Sequence, residues 1–119
     1  MPTEPQRVAF RLRVKPELLD EYLHRHNPVW PEMLEEIAAS GRHNYSIFHL
    51  GGGELIGFYE THDDEAAKAY LAASEIAGRW EADMARFFIG QEGRPDQNAE
   101  TFDEVFHLER QLRAARATD

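Results

Sequence analysis

Three consecutive glycines, Gly51-Gly52-Gly53, separate two stretches rich in aromatic and β-branched residues, Arg42 to Leu50 and Glu54 to Thr61. Glycines supply the positive φ angles of tight turns and the flanks have the composition of strands, so this part of the chain predicts a β-hairpin. Its strands carry large apolar groups at both parities: Tyr45 and Ile47 against Phe48 and Leu50, then Leu55 and Tyr59 against Ile56 and Phe58. Successive strand residues point to opposite faces of a sheet, so both faces of this hairpin require cover.

The flanking sequence offers cover for one face. Val8, Phe10, Leu12 and Val14 alternate with Ala9, Arg11 and Arg13, the period of a strand with one buried side. Pro16 then suits the first turn of a helix, on which Leu18, Leu19, Tyr22, Leu23 and His26 share a face. Pro28 disfavours helical geometry at Asn27, and a second helix restarts at Pro31 with Met33, Leu34, Ile37 and Ala38 as its apolar side and Gly41 as its stop. After the hairpin, Asp63 or Asp64 caps a helix to about Ala73, and Ile76, Trp80, Met84 and Phe87 form another stripe. A loop with Gly90, Gly93 and Pro95 leads to a last strand predicted from Phe102 through Glu109.

The order is βαββαβ with both helical regions split, an α+β, ferredoxin-like arrangement around an antiparallel sheet. Two helical regions cover only one face. The second face predicts a homodimer packed sheet to sheet, a dimeric α/β-barrel, or a cavity lined by aromatics.

With 119 residues the chain is of single-domain size, read as one domain over 1–119 with its core in about 7–109 and a C-terminal tail in 110–119. A formal charge of −9 argues against a nucleic-acid partner, and the arginines of Arg110 to Arg116 fall at the spacing of a solvated helical end. No stretch has the length of a membrane span and the N-terminus lacks a basic-then-apolar pattern, so no membrane partner and a cytoplasmic location are expected. Cysteine is absent, which removes disulfides, thiolate metal sites and cysteine nucleophiles.

Among groups able to do chemistry, Tyr22 and His26 stand one helical turn apart on one face, able to address one ligand. Histidine exchanges protons near neutrality without special tuning. On spacing alone, an interior histidine bonded to a backbone carbonyl is the commoner outcome, and Trp80 within its apolar stripe is more often plain core. Tyr45, with Asn44 beside it, offers hydrogen bonds to a polar ligand but equally reads as strand packing. His24 and His26 lie two apart and face different ways on a helix, and His43, His49, His62 and His107 have no zinc spacing, so no metal is expected. The triple glycine lacks the following helix and Lys-Ser/Thr of a phosphate loop, and no Gly-x-Ser-x-Gly elbow exists.

Three stretches together resemble the L-rhamnose mutarotase family of small dimeric ferredoxin-like proteins. They are Glu21-Tyr22-Leu23-His24-Arg25-His26-Asn27-Pro28-Val29-Trp30-Pro31-Glu32, then Gly41-Arg42-His43-Asn44-Tyr45-Ser46-Ile47-Phe48, then Glu104-Val105-Phe106-His107-Leu108. The resemblance implies a proton-donating role for His26, sugar contacts from Tyr22 and Tyr45, and Trp80 as the first of a tryptophan pair. Glu81 stands at the second position of that pair, hydrogen-bonding groups replacing a stacking surface. The implied ligand is a monosaccharide, L-rhamnose or a related 6-deoxy sugar, and the implied reaction uses neither metal nor organic cofactor. Two other readings fit the same residues: a cofactor-free dimeric α/β-barrel oxygenase or decarboxylase acting on an aromatic compound, and a sugar-binding module that moves no protons.

Overall fold

A computed structural model describes residues 4–117. The first strand, β1 (Gln6–Arg13), is followed by a single 3-10 turn at Pro16–Leu18 and then α1 (Leu19–Arg25) and α2 (Pro31–Ser40). The hairpin β2 (His43–Gly51) and β3 (Glu54–Thr61) leads to α3 (Asp64–Ala73) and α4 (Glu75–Met84), the latter continued by a 3-10 turn at Ala85–Phe87. A short helix α5 (Pro95–Asn98), the edge strand β4 (Glu100–Phe102) and α6 (Leu108–Ala117) complete the chain. The four strands pair antiparallel in the order β2-β3-β1-β4, the ferredoxin-like topology.

Local chemistry explains where the helices stop and start. Pro31 opens α2, and Gly41 ends it at φ 99°, a left-handed position that costs glycine nothing. Asp63 caps α3 by accepting the Ala66 backbone N–H at 3.1 Å. Ser74 has left helical geometry, so α3 and α4 are separate helices, and its hydroxyl caps α4 by accepting the Ala77 N–H at 3.1 Å.

One sheet face meets the helices. Phe10 and Leu12 of β1 and Leu55 and Tyr59 of β3 are buried there with Tyr22, Met33, Leu71, Trp80, Met84 and Phe87. Gly57 lies opposite Phe10 in the ladder, and a Cβ on it would sit 2.0 Å from the Phe10 ring, so glycine makes the room into which that ring folds. The other face has no helix over it. Arg7, Arg11 and Arg13 alternate along β1 there and pair with Glu60 and Glu54 of β3, while Phe48 and Phe102 stay exposed.

Two expectations are corrected at the C-terminal end. The last strand starts earlier and is far shorter than Phe102 through Glu109: only Glu100–Phe102 pairs with β1, and Leu108 already begins α6. Glu104 leaves the ladder to meet Arg7 and Arg110, and Val105 and Phe106 are exposed with no core of their own chain to join. Their apolar character therefore does not mark a strand of this sheet. Within the predicted loop, Pro95 opens the four residues of α5. The arginines from Arg110 to Arg116 lie on a helix, as their spacing suggests, with Arg110 and Arg113 both reaching Glu4.

Candidate active site

The break between α1 and α2 determines where the imidazole goes. His26 is the residue at which α1 ends, with φ −96° and ψ 7°, and the chain then turns through Asn27 and Pro28 toward α2. Its ring stacks on that of Tyr22, one turn earlier, with centroids 4.0 Å apart and planes 30° from parallel. Nδ1 lies 2.9 Å from the Tyr22 carbonyl oxygen. A carbonyl only accepts, so Nδ1 carries the proton of the neutral ring and Nε2 is the nitrogen left for a ligand. Burial lowers the imidazole below its ordinary value of 6.5, partly offset by the bond to that carbonyl.

Trp80 projects from α4 with its ring edge-on to both His26, 5.3 Å away, and Trp30, 5.0 Å away. It belongs to the buried core cluster and at the same time forms part of a cleft wall. Tyr45 comes from the opposite side. Two residues of β2, Asn44 and Tyr45, fall between the paired positions His43–Glu60 and Ser46–Phe58, a β-bulge. Asn44 takes φ 51° there, a conformation asparagine tolerates better than most residues, and its amide donates to Glu60 at 3.1 Å. The bulge aims Tyr45 inward, where it stacks on Tyr59 at 5.3 Å and meets the Phe10 ring at 5.9 Å.

Between these elements runs a cleft of about 520 Å³, walled by His26, Val29 and Met33 on one side and Tyr45 and Ile47 on the other, with Trp80 and Glu81 between. That is the size range of small-ligand sites, about 300–1,000 Å³. A smaller inner cavity of about 50 Å³ is bounded by Tyr22 together with His26, Tyr45, Trp80 and Glu81. The four side chains named from sequence, Tyr22, His26, Tyr45 and Trp80, thus meet around one space.

Three charged groups at this wall have no spacing in the sequence that singles them out. Arg42, directly after the glycine that ends α2, is almost fully buried and lies over the Tyr59 ring at 4.4 Å. It reaches Asp64 at 3.3 Å and donates to the Asp96 carbonyl at 3.0 Å, while its Nε has no partner among the described residues. Asp96 is clasped by Arg94 through two hydrogen bonds, 3.0 and 2.6 Å long. Glu81 is buried beside Trp80. Burial, then the Asp96 carboxylate, push its carboxyl up to about 8 against the pull of Arg94, the Asp96 backbone N–H and Arg42. Burial likewise raises the phenols of Tyr22 and Tyr45 above their ordinary value of 10.

A cleft that brings together the His26 imidazole, the Tyr22 and Tyr45 phenols, the Trp80 indole and the buried Glu81 carboxyl suits a polyhydroxylated ring, with its alternating O–H and C–H surfaces, better than a flat apolar one. Comparison with known proteins decides which family uses it: residues 7–108 match the family model described as L-rhamnose mutarotase. The chain belongs to that family. L-rhamnose mutarotases are isomerases, and this chain is 34% identical to the one from Pectobacterium atrosepticum over 105 residues, 87% of this chain and 98% of that protein. It is also 34% identical to an L-rhamnose mutarotase from Burkholderia orbicola over 103 residues, 86% of this chain and 97% of the other.

Solved structures agree. The crystal structure of an L-rhamnose mutarotase from Formosa agariphila superposes with a TM-score of 0.68 at 27% identity, covering 87% of this chain and 98% of that one. A Mycobacterium tuberculosis protein with 15% identity and a TM-score of 0.58 shares the fold alone. The mutarotase reading is therefore preferred over the oxygenase, decarboxylase and non-catalytic readings. Among the described residues, no helix is long and apolar enough to cross a membrane.

Proposed function

We propose that this mutarotase interconverts the α and β anomers of L-rhamnopyranose within the cleft, with His26 taking the anomeric proton as the ring opens and delivering it back as the ring closes, so that the proton-donating role implied by the resemblance is exercised in closure. Ring opening needs a proton removed from the anomeric hydroxyl and another delivered to the ring oxygen, and closure on the other face of the aldehyde reverses both. The observation that carries the reading is the bond from Nδ1 to the Tyr22 carbonyl, which fixes the tautomer and leaves Nε2 with a free lone pair beside the cleft. Tyr22 and Tyr45 hold hydroxyls, and Trp80 covers the C–H side of the ring. Positioned proton transfer of this kind contributes about 10²–10⁴-fold, a sufficient gain for a reaction that already proceeds in water.

The chain pairs as a homodimer joined through the open sheet face. Three observations support it: Phe48 is 61% exposed on that face, and Val105 and Phe106 are 92% and 61% exposed on the arm between β4 and α6. The radius of gyration is 16.0 Å, against about 13.5 Å for a compact chain of this length. Apolar groups held out in this way are matched by the same face of a second copy.

Saturation transfer between the two anomeric proton signals of L-rhamnose tests the activity. Exchange well above the buffer rate is expected, and it should exceed that for other pyranoses at equal concentration. Saturable rhamnose binding with exchange no faster than buffer would leave only a binding module.

A further inference from the structure

We propose that the Glu81 carboxyl is the second proton-transfer group of the mutarotation, acting on the sugar from the α4 side of the cleft while His26 acts from the end of α1. The inference rests on the role proposed for His26 and supplies the partner that role requires. A single imidazole leaves one of the two proton movements to solvent.

Glu81 follows Trp80 on α4 and lines both the main cleft and its inner cavity, in each case together with His26, Tyr45 and Trp80. Burial is the main cause that raises the phenols of Tyr22 and Tyr45, and the ionised Glu81 carboxylate adds to the rise in both. Those phenols are shifted away from neutrality, which suits them to orienting hydroxyls rather than donating protons.

The groups facing Glu81 come from several elements. Asp96 and Arg94 approach from α5 and the residue before it, Arg42 from the residue before β2, Tyr45 from β2, and Tyr22 and His26 from α1 and its end. The two cations are engaged elsewhere, Arg94 by Asp96 and Arg42 by Asp64 and the Asp96 carbonyl. A carboxyl so placed keeps its proton up to about 8, while His26 is held neutral by burial. Two titratable groups driven in opposite directions give one acid and one base over the same pH range.

The step balances without an added reactant. The anomeric O–H proton passes to His26 Nε2, the O–H electron pair becomes the carbonyl bond, the bond from C1 to the ring oxygen breaks, and that oxygen takes the Glu81 proton. The aldehyde turns about its bond to C2. On closure the ring-oxygen hydroxyl attacks C1 and returns its proton to the Glu81 carboxylate, and the carbonyl oxygen takes a proton from the imidazolium.

Glu81→Gln tests this, since the amide keeps the shape and can still accept the Asp96 N–H but cannot ionise. With L-rhamnose, kcat is expected to fall about 10²-fold or more with KM within about threefold. The parent is expected to lose kcat/KM above pH 8; that limb should vanish in Glu81→Gln and be retained in Glu81→Asp. Parental kcat in Glu81→Gln, a change in KM alone, or an alkaline limb that survives the substitution would each overturn the proposal. If Glu81→Gln does not fold, Glu81→Asp decides by the presence or absence of the limb. Failure of the parent protein itself to exchange rhamnose anomers would instead refute the proposed mutarotation, so the two failures are distinct.

Discussion

His26 Nδ1 and the Tyr22 carbonyl oxygen stand 2.9 Å apart while the two rings stack at 4.0 Å, so one helical turn fixes both the tautomer and the plane of the imidazole. Neither contact depends on a bound ligand. For the proposed base, orientation before substrate arrives leaves little entropy to lose in the reaction, and its removal is expected to be felt in the transition state rather than in binding.

For His26→Gln, anomer exchange with L-rhamnose is expected to drop by about 10²–10⁴-fold in kcat, with KM changed by no more than a few-fold. The parent carries a pH signature as well. Burial lowers the imidazole, so it stays neutral to a more acid pH than a free histidine would. The acid limb of kcat/KM therefore belongs below 6.5, its ordinary value. An acid limb centred above that value, or a glutamine variant as fast as the parent, would remove His26 from the reaction.

Sequence makes parts of this site readable for definite reasons. Tyr22 and His26 are four residues apart on one helix, and that spacing alone sets their stacking. The Pro28 and Pro31 break, the triple-glycine turn and the Asp63 cap are local effects, and each falls where its residues predict. Arg42, Glu81 and Asp96 meet only because β2, α4 and α5 converge, a long-range event that leaves no period in the chain. Glu81 stands out in the sequence solely as a departure from a family resemblance. Trp30 belongs to the run between His26 and Glu32 that carries the resemblance, but only the fold puts its ring beside Trp80. Val105 and Phe106 mislead for a different reason: apolar residues usually signal burial within the chain, and these face away from it.

The Glu81 carboxyl also makes stability depend on pH. It is pushed up to about 8 in the folded state from an ordinary 4.5, so between these values the folded chain binds a proton that the unfolded chain has released. Stability contributed by the group is full below 4.5 and is lost as pH rises through about 8. The slope reaches at most about 1.4 kcal/mol per pH unit. Denaturant melts at pH 5 and pH 8.5 should show Glu81→Gln gaining on the parent at the higher value. Equal differences at both would mean that the carboxyl ionises normally.

Gly57 is a structural counterpart with no chemistry of its own. A Cβ at this position would lie 2.0 Å from Cζ of Phe10, whose ring supports Tyr45 at 5.9 Å. Gly57→Ala must push the ring aside, a change that typically costs about 1–3 kcal/mol. Thermal unfolding should register it as a drop of several degrees. With the support of Tyr45 displaced, KM for rhamnose should rise as well. An unchanged melting temperature would mean that the Phe10 ring has another rotamer to occupy.

The open sheet face yields the prediction most independent of catalysis. Phe48 of β2 and Phe102 of β4 are 61% and 40% exposed, so replacing either with lysine leaves the core of one chain untouched. If a second copy covers them, each lysine would be buried in the interface without a partner, a strongly unfavourable exchange. Light scattering is expected to give twice 13.7 kDa for the parent and 13.7 kDa for Phe48→Lys with Phe102→Lys, while far-UV circular dichroism stays the same. Tyr22, His26, Tyr45, Trp80 and Glu81 all line the cleft of a single chain. The separated variant should then retain exchange activity wherever its fold persists. A parent that runs as a monomer at all concentrations would refute the dimer and leave the exposure of those side chains without a physical cause.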